Sequence, residues 1–390
     1  VEQPVGRILD KSGRGNHAIQ ATTTKRPVYS RRVNLLTKTE DFQDGAWITP
    51  PSGTVKSNNA GTDPLGGGTA GKSECAQAGA VFYVANATAS ALIPGATYRV
   101  TCSVRNGAGV PSITFYNGKY GAYKSATINL ITGAVTDSNY TTPPVASVSG
   151  DGWVSISVDI LAPDTTGVYC YIQSIAPPAV GDHFFIWRPS ITLATDAHLP
   201  YQWVNTATDY DADPAKFPAY LRFDGVDDAL QTGNIDFTGT DKMTVWAGVT
   251  KLSDAASGAI AHTGIYDGTP GFLLASPAAA SSANMSFRAR RSVLGPTCAV
   301  SGLVAPVNCV LAGHYDAAST TARANGSQTI DASTAGTGNF ASRPLRIGSQ
   351  DGVGYFFNGR LYSLIVRGAQ SSLSQIEAGE LYTKQKMRLP

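Results

Sequence analysis

Apolar and polar residues alternate along most of this chain, and they do so in short runs. In Tyr220–Leu230, Leu221 and Phe223 alternate with Arg222 and Asp224, the period of a strand with one buried face. Asp224-Gly225 then interrupts the run, because glycine tolerates the positive φ of a tight turn. Met243, Val245, Ala247 and Val249 predict a second strand over 243–250, with Trp246 on the side opposite its apolar face. The same alternation runs through Tyr98, Val100, Cys102 and Val104, through Val154, Ile156, Val158 and Ile160, and through Tyr362, Leu364 and Val366. Asn325-Gly326 predicts a hairpin between two strands. One segment departs from this period. Leu373–Met387 predicts a C-terminal helix, with Ser374 and Glu377 at capping-box spacing and Leu373 and Ile376 starting an apolar stripe. The fold class that follows is all-β, with a short C-terminal helix.

Composition sharpens this picture. At 390 residues the chain suits two domains of roughly 150–200 residues each. Hydrophobic residues make up 42%, enough for packed cores, while only 15% are charged and 41 residues are glycine, which favours short strands and tight turns. The net charge is +2, and the longest basic runs are Arg31-Arg32 and Arg288–Arg291, so a nucleic-acid binder is disfavoured. No stretch of apolar residues is long enough to insert into a membrane as a helix, and no signal peptide is visible. The chain begins at Val1 without an initiator methionine, which leads us to expect that a segment upstream has been removed. Cys75, Cys102, Cys170, Cys298 and Cys309 show no metal-binding spacing and read as buried thiols, with Cys298–Cys309 the one pair placed to meet on adjacent strands.

Catalytic constellations are sparse. Glycoside hydrolysis needs two carboxylates about 5–10 Å apart, but the only glutamates are Glu2, Glu40, Glu74, Glu377 and Glu380, and the last two fall on the terminal helix. Asp227-Asp228 and the trio Asp209, Asp211 and Asp213 lie beside glycine or proline and read as turn residues, a structural Ca²⁺ being the one metal they could hold. No other cofactor is implied. His17, His183, His198, His262 and His314 have no spacing to a serine or cysteine nucleophile and read as surface or turn groups. Gly66–Ser73 has phosphate-loop spacing but lacks the flanking strand and helix that chemistry requires, so it reads as a flexible loop.

Two resemblances organise the chain. Leu9–Ala18, with its Asp-x-Ser-Gly-x-Gly-Asn-His-Ala string, and Leu221–Asp228, Leu-Arg-Phe-Asp-Gly-Val-Asp-Asp, resemble successive parts of the concanavalin A-like (laminin-G-like) lectin family, although about 180 residues lie between them here. Between them, Asn34–Phe42, Trp47, Pro94–Tyr98, Leu130–Val135, Gly150–Trp153, Phe184–Trp187 and Leu199–Tyr201 resemble carbohydrate-binding-module-like jelly rolls of phage tail and tail-fibre proteins. The resemblances imply a concanavalin A-like β-sandwich, residues 1–33 and 205–390, interrupted by a second jelly-roll β-sandwich, residues 34–204. They imply a non-catalytic virion protein recognising bacterial surface glycans. Other virion proteins and further copies of the chain are the remaining expected partners, and the virion is its expected location. A structural or decoration protein and a glycan depolymerase are the alternatives. Sugar binding asks for an aromatic platform and a few polar groups. Tyr116, Tyr120 and Tyr123, interleaved with small and polar residues, and Tyr169 and Tyr171, at strand spacing, are the candidate glycan-binding residues, with Tyr83 beside them. Trp47, Trp153 and Trp187 fall on family landmarks and read as packing. In the other domain Trp246, Tyr266, Arg288, Arg290 and Arg291 are the groups considered for an acidic glycan, a solvated basic edge being the plainer reading of the arginines.

Overall fold

The computed structural model describes residues 3–50, 53–88, 92–119, 122–175, 178–206, 208–209, 213–352 and 354–390. Two compact units result, Arg32–Ala212 on the one hand and Glu2–Arg31 with Asp213–Pro390 on the other. The first unit is wider at both ends than residues 34–204, for a local reason. Buried Arg32 donates to the carbonyls of Asn34, Leu35 and Leu36, and Asp209 accepts the amides of Asn205 and Thr206. Both flanks are thereby tied to that unit.

In the second unit the opening of the chain and its later half share their sheets. Val28–Ser30 pairs with Tyr220–Asp224, Tyr29 lying opposite Leu221. That sheet has eight strands, in the order Gln3–Pro4, Val28–Ser30, Tyr220–Asp224, Asn358–Arg367, Met243–Lys251, Val307–Tyr315, Thr320–Ala324 and Ser327–Asp331. The facing sheet also has eight, in the order Arg7–Ile8, Ala18–Ile19, Leu230–Asp236, Ser342–Ile347, Ala259–His262, Gly271–Ala275, Asn284–Arg290 and Cys298–Ser301. Both are antiparallel. Alternate residues of each point inward, so Phe223, Val245, Ala247 and Leu311 from one sheet and Phe272, Leu274, Phe287 and Ile347 from the other form one buried core. Gly225, at φ +78, makes the turn that the Asp-Gly pair announces.

The helix Leu373–Lys386 covers the outside of the first of these sheets. This corrects the one-sided reading of 243–250. Every residue of Met243–Lys251 is buried, because Trp246 and Ala312 on the outer face pack under Ile376 of the helix, and the Trp246 indole donates to the Ile376 carbonyl. The capping box is real but sits two residues earlier than Ser374 and Glu377, since the helix starts at Leu373: Ser372 accepts the Gln375 amide, and the Gln375 side chain accepts the Ser372 amide. Tyr362 departs from the alternation as well. A bulge opposite Gly248 and Val249 resets the phase, so Leu361 and Leu364 both reach the core while Tyr362 turns outward onto Tyr220.

The first unit is a smaller sandwich. One sheet has five strands, in the order Val135–Thr136, Ala122–Asn129, Ser112–Lys119, Tyr169–Ser174 and Tyr83–Ala87. The other has six, in the order Val145–Val148, Trp153–Leu161, Thr97–Ala108, His183–Leu193, Ala70–Cys75 and Thr54–Gly61. Their inner faces carry Ile113, Phe115, Ile128 and Ile172 on one side and Val100, Val104, Ile156 and Val158 on the other, all buried. Cys102 of the six-stranded sheet meets Cys170 of the five-stranded one, and its thiol is pushed up by burial and by that neighbour. All five thiols are free and buried. Cys298 and Cys309 lie in different sheets rather than on adjacent strands, Cys298 donating to the Thr329 carbonyl. The fold class is therefore all-β, antiparallel sandwiches with one short C-terminal helix. No helix among the described residues is long and apolar enough to cross a membrane.

Candidate functional site

The outward face of the five-stranded sheet gathers tyrosines from four strands. On three of these strands the residues of one parity are buried, namely Ile113 and Phe115, Cys170 and Ile172, Ala126 and Ile128. Their neighbours of the other parity point outward, namely Thr114 and Tyr116, Tyr169, Tyr171 and Gln173, and Tyr123, Ser125 and Thr127, all half-buried. Register then decides which rings meet. Tyr171 lies opposite Tyr116 on one side and Ala85 on the other, and Tyr116 lies opposite Ser125. Tyr171 becomes the hub, with ring centroids 4.8 Å from Tyr116, 4.8 Å from Tyr83 and 5.7 Å from Tyr123. Gly118, opposite Tyr123, carries no side chain, and the Tyr123 ring closes to 5.9 Å from Tyr169. Tyr120 lies outside the described residues, so four of the five candidate tyrosines are placed, together with Tyr83.

The patch is closely packed and uncharged. Edge-on and tilted ring pairs of this kind each contribute about 0.5–1.5 kcal/mol beyond their burial. The Tyr171 hydroxyl donates to Gln173 Oε1 at 2.7 Å. Burial, and then the hydroxyls of Tyr83, Tyr116 and Tyr123, push Tyr171 above the ordinary tyrosine range, so it stays a neutral donor and acceptor at all ordinary pH. Beneath the patch, buried Asn117 donates to the Tyr169 carbonyl at 3.0 Å and accepts the Tyr140 hydroxyl at 2.6 Å. This bond locks the strand bearing Tyr116 to the strand bearing Tyr169 and Tyr171. Burial, followed by Cys170 and Cys102, raises the Tyr140 hydroxyl in the same way. Gln173, Thr114, Ser125 and Thr127 supply amide and hydroxyl groups on the same face. Sequence reasoning passed over them, although their parity with the tyrosines is the signal that marks them.

The other candidates sort differently. Trp47 and Trp153 are fully buried, Trp47 against Phe42 at 4.8 Å and Trp153 under the Arg105 guanidinium at 5.0 Å. Trp187 is nearly so, with Arg188 over its ring and Thr69 accepting from its indole. Trp246 is sealed by the helix and cannot touch a ligand. Arg291 is no solvated edge, being buried with donations to the Gly338 carbonyl and the Tyr315 hydroxyl. Arg288 and Arg290 are half-buried and donate to the carbonyls of Gly295 and Ile265. Gly66–Ser73 is not a loop throughout. Ala70–Cys75 is a strand, and Asp63 accepts the amides of Leu65, Gly67 and Thr69 to shape the turn before it. His17 accepts the Asp10 amide within its turn, but His262 and His314 are buried within their sheets and are not surface groups.

Among the described residues one acidic cluster is present. Asp224, Asp227 and Asp228 bring carboxylate oxygens within 4.8 Å of one another. Hard oxygen ligands of this kind suit Ca²⁺, which takes six to eight of them. Two of the groups are already engaged in the turn, Asp224 accepting the Val226 and Asp227 amides and Asp228 the Asp224 amide. Burial, then the Asp224 charge, pushes Asp228 up to about 6. Asp209 and Asp213 are turn residues, and Asp211 lies outside the described residues.

Comparison with known proteins adds the following. No family model and no curated protein matches the sequence. Among solved structures, a heptameric SAP-like pentraxin from Limulus polyphemus aligns over 40% of this chain and 78% of its own, at 14% identity and a TM-score of 0.32. Domains LG4-5 of the mouse laminin α1 chain align over 77% of this chain and 90% of their own, at 12% identity and a TM-score of 0.31. The CBM40 of a Ruminococcus gnavus IT-sialidase, solved with α2,3-sialyllactose, aligns over 38% of this chain and 97% of its own, at 14% identity and a TM-score of 0.30. At such identities and scores, what those proteins bind does not transfer to this one.

Proposed function

We propose that the first unit binds carbohydrate on the tyrosine face of its five-stranded sheet, without catalysis. One observation carries this reading: Tyr83, Tyr116, Tyr123, Tyr169 and Tyr171 converge from four strands into one half-exposed, uncharged patch edged with amide and hydroxyl groups. Pyranose rings present an apolar C–H face to such rings and hydroxyls to such edges. The phage-like motifs of the sequence supply the setting. In this reading the chain is the receptor-binding part of a tail fibre or related virion appendage, exposed on the particle, contacting other virion proteins and recognising glycans of a bacterial surface. A shallow site of millimolar affinity yields only about −4 kcal/mol, and several copies on a homo-oligomer would gain roughly 10²–10⁴ in avidity.

Immobilised bacterial capsular and lipopolysaccharide glycans test the proposal directly. The protein is expected to be retained without releasing reducing ends, and Tyr171→Ala to weaken retention about tenfold. Release of oligosaccharide would mean an enzyme. Undiminished retention of both Tyr171→Ala and Tyr116→Ala would remove the tyrosine face from the account.

A further inference from the structure

We propose that the second unit carries its own carbohydrate site, built on Tyr266 and Tyr355 and specific for a neutral pyranoside. It stands on residues separate from the tyrosine face of the first unit and does not depend on that reading. The site begins with the strand Ala259–His262, whose last residue is wholly buried. Past it the chain turns at Gly264, and Ile265 folds back over Leu273 and Ala259 as a small apolar cluster on the outside of the sheet. The amides of Gly264 and Ile265 point at the His262 ring nitrogens, 3.4 and 3.2 Å away. This loop is therefore anchored, and the next residue, Tyr266, is 45% exposed with its ring at 20° to the His262 ring and 6.3 Å from it.

A second loop brings the partner ring. The Phe357 amide donates to the Gly348 carbonyl, Gln350 to Gly354, and the Ala259 amide to the Tyr355 carbonyl at 2.7 Å. Tyr355 is held at φ +51, a left-handed conformation that a bulky side chain rarely adopts. No core packing offsets this strain, since the ring is 47% exposed. It lies instead at 14° to the Tyr266 ring and 6.4 Å from it. Strain of this kind without a packing return is a mark of a ligand-binding position. His262, Tyr266 and Tyr355 thus form a stepped series of near-parallel rings, the inner one buried and the outer two open.

The charges around them decide the ligand class. Arg346 pairs with Asp351 and also donates to Gln231, while Arg343 pairs with Asp267 and donates to Thr269. Asp351 lies 3.7 Å from the His262 ring and Asp267 follows Tyr266 directly in the chain, so each pair adjoins one member of the ring series. Two cations and two anions sum to no net charge, which disfavours the acidic glycan suggested by the arginines of the sequence. Fixed carboxylate acceptors and guanidinium donors beside open aromatic faces match the hydroxyls and C–H face of a neutral sugar.

Saturation-transfer NMR on the full chain tests this, with methyl β-D-galactopyranoside, methyl α-D-mannopyranoside and methyl β-D-glucopyranoside as probes. A protein carrying Tyr116→Ala, Tyr123→Ala and Tyr171→Ala is expected still to transfer saturation to at least one of them. Adding Tyr266→Ala and Tyr355→Gly is expected to abolish it. Tyr355→Gly alone should weaken binding about tenfold while leaving the thermal midpoint unchanged or higher, because glycine accepts the positive φ. Loss of all transfer in the triple variant, or transfer that survives replacement of Tyr266 and Tyr355, overturns the second site. In the former case the first unit's site stands, because its tyrosines then account for all the transfer, and in the latter the binding lies outside both sets of tyrosines, so the two readings fail distinguishably.

Discussion

Asp228 offers the sharpest energetic test of this structure, because its environment works against its charge. The side chain is buried, and its carboxylate faces those of Asp224 and Asp227, with Arg222 a weaker counterweight. Its pKa is pushed up to about 6 from an ordinary value of 3.8. An acid whose pKa is raised on folding binds its proton more tightly in the folded state. The contribution of Asp228 to stability is therefore highest below about pH 4, falls as pH rises through the interval from about 4 to about 6, and is level above it. The full loss is the shift multiplied by about 1.4 kcal/mol per pH unit, about 3 kcal/mol. Asp228→Asn removes the charge and keeps an oxygen to accept the Asp224 amide. We expect the variant and the parent to unfold alike near pH 4, and the variant to gain 2–3 kcal/mol, roughly 5–10 °C in thermal midpoint, by pH 7.5. The measurement is calorimetric unfolding across pH in EDTA, so that no cation neutralises the cluster, with the transition of the second unit followed separately where two are resolved. A gain that does not grow with pH, or a variant less stable than the parent at pH 7.5, would refute the reasoning.

Two further outcomes follow from the same unit. His262 has its pKa pushed down to about 4 by burial, opposed by Asp351 and Asp267, so the unfolded chain takes the proton first. Stability should fall as pH drops from about 6.5 toward 4, by about 3 kcal/mol in all. In an Asp228→Asn background this acid limb is shared with His314, whose pKa burial also lowers, and His262→Gln should reduce it in the same scan. A limb undiminished in His262→Gln would assign it elsewhere. Gly379 lies mid-helix, where alanine would gain up to about 1 kcal/mol of helix propensity. A Cβ there would sit 2.5 Å from the Trp246 indole nitrogen, so overpacking prevails and Gly379→Ala should lose about 1–3 kcal/mol in urea unfolding. A stabilised variant would show that the helix packs more loosely on its sheet.

How far the sequence reveals this molecule depends on whether a signal is carried by one strand or by two. Leu221 and Phe223 announced their inward face, and Asp224-Gly225 its turn, because period and turn chemistry are properties of a few consecutive residues. Failures arose where a distant element intervened. Met243–Lys251 reads as half-exposed until the helix, more than a hundred residues later, closes over Trp246. Tyr362 reads as core until a bulge shifts its strand by one residue. The histidines looked peripheral because nothing in their neighbours tells that His262 ends a strand beneath a returning loop. The candidate site divides in the same way. That Tyr169 and Tyr171 share a face is visible in their spacing. That Tyr171 meets Tyr116 needs the pairing of two strands more than fifty residues apart, and that Tyr266 meets Tyr355 needs two loops to converge on one strand. A one-residue slip in the first pairing would send Tyr116 to the other side of the sheet, so the site exists only because buried Ile113, Phe115 and Ile172 admit no other register. The core, through that constraint, is what assembles the tyrosine face.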